Sequence, residues 1–202
     1  MTADRRLQVG GWAALLVAVF VPLQLVVVFL GAREPDPFDT TPYRLVETAR
    51  ICAALVAIVG LDRLFRSISP RPARFVLAAG VIGATIGIGA ELATIVGIRL
   101  AAIDTPLFLL TNLLIAGWFI GGGGILMREG GGLARVGWTS QLGGLGGILT
   151  AVAVAVPFAG AAGVTGHSLI DWYQILGLFV VVYLVRIWRY VVGGRLPGPG
   201  VL

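Results

Sequence analysis

Glu91 stands inside an otherwise apolar run, FVLAAGVIGATIGIGAELATIVGIR, from Phe75 to Arg99. An acid in the middle of a membrane helix costs at least about 2.5–3.5 kcal/mol on insertion scales, so it requires a partner or a task. Residues three and four apart share a helical face, and Gly80, Gly83, Ala84, Gly87, Glu91 and Thr94 fall on one stripe. Small residues let neighbouring helices approach closely. That stripe predicts a carboxylate turned into a bundle and away from lipid.

Other hydrophobic segments supply polar groups at a matching depth. With a rise of about 1.5 Å per residue, Glu91 lies roughly 6–7 Å from its segment's midpoint toward the outer side. Arg50, Asn112, Gln174 and Gln24 fall in the same slab, while Glu47 and Asp171 lie nearer the outer surface and His167 at a helix end. The expected centre is an Arg50–Glu91 ion pair, with Glu47 one turn from Arg50 able to share it. An acid beside a base in an apolar setting suits a zwitterionic or anionic small molecule, a lipid headgroup or a proton. The plainer alternatives are that Gln24, Asn112 and Gln174 only tie helices together, and that Glu47 and Arg50 snorkel to the interface. His167 and Asp171 could handle protons at the outer mouth, or Asp171 could simply cap a helix.

Several chemistries are excluded outright. The chain has no lysine, hence no lysine Schiff base. A single cysteine, Cys52, forbids an internal disulfide or a CxxC pair. A single histidine, His167, forbids bis-His haem ligation and multi-His metal sites. Ser168 beside His167 is adjacency, not a triad. Nothing points to a cofactor. Gly121 to Gly124 are read as ending one helix, and Gly143, Gly144, Gly146 and Gly147 as lining the next, with Arg128-Glu129-Gly130-Gly131-Gly132 between. A phosphate-cradling loop would need a preceding strand and a Gly-Lys-Ser/Thr ending, so this hairpin is read as close helix packing.

The elements that must hold these groups follow from composition. The chain is 57% apolar and only 12% charged, with a mean hydropathy of +0.95, against about 45–50% and 25% in soluble domains. This predicts an all-α integral membrane protein, a bundle of six transmembrane helices. The segments are Leu7–Leu30, Tyr43–Phe65, Phe75–Ile98, Pro106–Met127, Val136–Phe158 and Ser168–Val192, each near the roughly 20 residues a span needs. The first follows Asp4-Arg5-Arg6 like a signal-peptide head, but its apolar run is too long for one. It is read as a retained span kinked at Pro22, with cleavage near Gly31-Ala32 as the alternative. Arginines crowd the N-terminus, the second and fourth loops and the C-terminus, whereas the first loop carries Glu34, Asp36 and Asp39. Both termini are therefore expected in the cytoplasm. Residues 1–192 form one domain and 193–202 a flexible tail. The net charge of +5 sits at helix ends and not on a soluble stripe, so nucleic acid is not an expected partner; the lipid bilayer is.

Tyr43-Arg44-Leu45, Leu61-Asp62-Arg63-Leu64-Phe65-Arg66 with Ser69-Pro70, Gly117-Trp118, Arg128-Glu129-Gly130-Gly131 and Leu133-Ala134-Arg135-Val136-Gly137 together resemble a bacterial six-span family, domain of unknown function 4386. Departures from its pattern are Asp62 for a tyrosine, Ala134 for the turn's proline and a short first loop. The resemblance implies a bacterial plasma (inner) membrane location and no established activity, so it assigns no site residues.

Three functions are weighed. The first is binding or transport of a small molecule, lipid headgroup or proton at an outward-facing pocket around Glu91 and Arg50. The second is a structural or accessory subunit, with a membrane-protein partner or further copies of itself. The third and weakest is an intramembrane enzyme, for which there is no metal cluster, no nucleophile with a base and no paired carboxylates at motif spacing. Matching broken helices, the usual sign of a secondary transporter, are also missing.

Overall fold

The computed structural model describes residues 3–31, 40–98, 104–155 and 166–194, with side chains at 5–31, 40–98, 106–149, 151–152 and 178–194. All regular structure among them is helical: α1 (Ala3–Leu30), α2 (Thr41–Ile68), α3 (Pro70–Ile95), α4 (Asp104–Glu129), α5 (Gly131–Ala155) and α6 (Gly166–Val191). Among the described residues, three stretches are long and apolar enough to cross a membrane: Arg5–Leu30, Pro70–Ile95 and Pro106–Glu129. The helix α1 runs through Pro22 as one element.

Successive helices pack side by side, α6 returns to α1, and α2 also meets α4 across the middle. Residue-level contacts set each of α1 to α4 antiparallel to the helix that follows it. Gly10 meets Gly60 and Gly11 meets Val191, while Gln24 reaches Glu47, which fixes α1 between α2 and α6. Between α2 and α3, Ile58 lies against Gly80 and Ile51 against Gly87. Between α3 and α4, Gly80 faces Trp118 and Gly87 faces Thr111. Gly123 faces Gly137, and Gly143 faces Val180, completing the circuit through α5 and α6.

In α1 the division of faces explains the packing. Val9, Trp12, Leu16, Val19, Leu23, Val26 and Leu30 recur every three or four residues and are all exposed. Gly10, Ala14 and Val17 form the opposite, buried stripe, and Gln24 continues it. The outer surface is thus apolar and the inner one small, the reverse of a soluble helix. A hub of aromatic rings fills the centre, where Trp118 packs edge-on against Phe65, Phe119 and Tyr183.

The glycine run of α4 does not end the helix as expected; α4 continues to Glu129. Consecutive helical residues turn by 100°, so the glycines serve different neighbours. Gly121 touches Val76 of α3, Gly122 the Phe65 ring of α2, and Gly123 the Gly137 carbonyl of α5. A helix crowded on three sides has room there for hydrogen atoms only.

The turns at one end are minimal. Ser69 alone joins α2 to α3, with Pro70 opening the second helix, where its missing N–H costs nothing. Gly130 alone joins α4 to α5; it and Gly131 have φ of 77° and 55°, a region glycine enters without strain. Arginine gathers at this end. Arg5 and Arg6 begin α1, Arg66 closes α2, Arg71 and Arg74 open α3, Arg128 closes α4, and Arg189 closes α6.

Candidate functional site

At the opposite end, α2 carries two stripes aimed at two neighbours. Ile51 and Ile58 pack on α3, and seven residues before Ile51 the same face carries Arg44. Gly60 packs on α1, and that face carries Ala57, Arg50 and Glu47. One helix therefore delivers an arginine to each side.

On the α3 side, Arg44 Nη1 donates to Glu91 Oε2 at 3.2 Å. On the α1 side, Arg50 grips Glu47 with two bonds, Nε to Oε2 at 2.8 Å and Nη2 to Oε1 at 2.5 Å. Gln24 of α1 donates its amide N–H to the same Glu47 carboxylate. The four charged side chains are 15–26% exposed, which places them between the surface of the bundle and its buried core.

The expected Arg50–Glu91 pair is redistributed. Ile51 faces Gly87 and Ile58 faces Gly80, so Glu47 comes level with Glu91 on the neighbouring helix. Arg44 then lies one turn outward of that level and Arg50 one turn inward. Distance along the axis does not choose between them; rotation about the axis does. Arg44 shares the heptad position of Ile51 and Ile58 and meets α3, whereas Arg50 is turned by about 100° from Ile51. Arg44 was the residue that sequence reasoning passed over, and its seven-residue spacing from Ile51 was the signal that could have found it.

The stripe on α3 holds as expected: Gly80, Gly83, Ala84 and Gly87 are buried, and Glu91 follows one turn later. Thr94 bonds back to the Ala90 carbonyl. Gln24 reaches the cluster. Asn112 is not brought to it by its described contact: its side-chain N–H bonds the Phe108 carbonyl of its own helix at 2.8 Å. The register of Gly87 on Thr111 puts Asn112 about 7–8 Å deeper than Glu91, which removes the reason for grouping the two. Gln174 and Asp171 belong to α6, and their side chains, like that of His167, lie outside the described residues. The same holds for Glu34, Asp36 and Asp39 of the first loop and for residues 195–202.

Chemically, this is a charge-compensated pair of pairs. It can orient a molecule bearing both signs, since each carboxylate lies beside a guanidinium on a rigid helix. No group of three or more His, Cys, Asp or Glu able to hold a metal occurs among the described residues. No family model matches the chain, and no curated protein or solved structure matches it, so the likeness to domain of unknown function 4386 rests on the quoted motifs alone.

Proposed function

We propose that the chain is a six-span integral membrane protein of a bacterial inner membrane, its arginine-rich end in the cytoplasm. Its outward end binds, or passes on, a small zwitterionic or anionic molecule, a lipid headgroup or a proton. The supporting observation is the arrangement of Glu47 and Glu91 at one level on neighbouring helices, each with its own arginine and each partly exposed. Bundles of small apolar residues pack well without charges, so two acid–base pairs at one mouth suggest a task beyond cohesion. The test is a ligand screen by thermal shift, with infrared titration of the carboxyl band, on wild type, Glu91→Gln and Arg44→Gln. A ligand response or carboxyl signal lost in the variants supports this reading; identical behaviour of all three removes it.

The bidentate Arg50–Glu47 contact with Gln24 favours a second reading for that half alone, a clasp between α1 and α2. Buried pairs can often be replaced together by apolar residues at little cost. A joint Arg50→Met, Glu47→Leu variant that folds and still responds to ligand would assign the clasp to structure and the Arg44–Glu91 half to binding.

A further inference from the structure

The basic end carries a second feature, around the turn at Ser69. Arg63 and Arg66 come from the last turns of α2, Arg71 and Arg74 from the first turns of α3, and Arg128 from the end of α4. Arg128 leans across to the turn, where its Nη1 donates to Ser69 Oγ at 3.2 Å. That hydroxyl makes no capping bond to α3. Four arginines thus lie within six residues of Ser69 and a fifth bonds to it, against two nearby acids, Asp62 and Glu129, and Asp62 is engaged by Arg66 at 2.6 Å. Arg63, Arg71 and Arg74 are exposed.

What lies beneath these arginines decides what they suit. On α2 the outward face runs from Arg63 to Val59 and Val56, exposed by 56% and 45%. On α3 it runs from Arg71 to Phe75 and Ile82, exposed by 78% and 51%. Residues at these three- and four-residue steps lie one above another. On both helices a guanidinium therefore caps an uncovered apolar track. A soluble anion would use the cap and leave the track bare; an amphiphile with an anionic head uses both. Guanidinium presents a planar fork that meets phosphate oxygens two at a time.

We infer that the turn at Ser69, with Arg63, Arg71, Arg74 and Arg128, is a binding site for anionic phospholipid, its phosphate on the arginines and an acyl chain along Phe75 or Val59. The inference rests on the membrane-spanning reading and is independent of any ligand at Glu91. The site holds lipid at the cytoplasmic leaflet, where basic residues near the surface each strengthen attraction about fivefold.

The experiment is native mass spectrometry of the full chain in detergent, titrated with phosphatidylglycerol or phosphatidylcholine. Retention of phosphatidylglycerol at tenfold or more lower concentration is expected, abolished in R71Q/R74Q/R128Q and kept in R189Q, which removes an arginine of the same end on α6. Because the triple variant could be misfolded, R71Q alone provides a second reading, with about a fivefold loss and an unchanged melting temperature in phosphatidylcholine. Equal retention of both lipids overturns the proposal, as does full retention by the triple variant. Equally effective competition by inorganic phosphate overturns it too, since the track would then contribute nothing. Loss of the lipid preference in R189Q as well would also refute the assignment to the Ser69 turn.

Discussion

The carboxylate of Glu91 is 21% exposed and its partner Arg44 is 19% exposed, so the pair should be worth more than a surface bridge and less than a sealed one. Single Arg44→Gln and Glu91→Gln substitutions are expected to cost about 1–3 kcal/mol each, between those limits. The double variant should cost clearly less than their sum, which a double-mutant cycle on unfolding free energies would read. Thr111 presents the opposite case. Its hydroxyl is buried without a hydrogen-bond partner, so Thr111→Val removes a stranded polar group while keeping the shape. Unchanged or improved stability is expected, by up to about 1 kcal/mol, and a lower melting temperature would contradict it. At this scale the sequence disclosed Glu91, Glu47, Arg50 and Gln24 and allowed Glu47 to share Arg50, but it did not disclose Arg44 as the partner of Glu91. Depth follows from counting along a segment, whereas facing depends on how each helix is rotated against its neighbours. Only the contacts of Ile51 and Ile58 fix that rotation.

Helix positions were more legible, because a long apolar run has few other options. All six expected segments overlap the observed helices, and the helices reach further into the arginine-bearing flanks, where hydrogen bonding continues past the apolar stretch. The run Gly121 to Gly124 lies within α4 although glycine lowers helix propensity. Contacts to α2, α3 and α5 override that preference. Close approach makes a sharp prediction at Gly60, where an added Cβ would lie 2.4 Å from the Gly10 Cα. Backbone cannot step aside as a side chain can, so Gly60→Ala should lower stability by about 1–3 kcal/mol. Gly89→Ala is the matched control: nothing lies within 4 Å of its added Cβ, and the substitution should stabilise by up to about 1 kcal/mol. Equal melting temperatures for the two variants would refute the α1–α2 contact.

For the whole molecule, charge distribution predicts sidedness. In a Cys52→Ser background, a cysteine at Ser67, beside the basic turn, should be shielded from an impermeant maleimide added outside intact cells. One at Ile98, past the end of α3, should react. Reversed labelling would invert the orientation, and labelling of both from outside would break the paired spans. This expectation rests on composition and arginine placement. The return of α6 to α1, where Gly11 meets Val191 and Trp12 meets Trp188, had no sequence signal, since apolar faces do not specify which other apolar face they adjoin.

The one-residue links at Ser69 and Gly130 have a mechanical corollary. They tether α2 to α3 and α4 to α5 so tightly that these pairs cannot separate there. Any separation of α2 from α3 must therefore open away from Ser69, carrying Arg44 and Glu91 apart as the two helices lean away from each other.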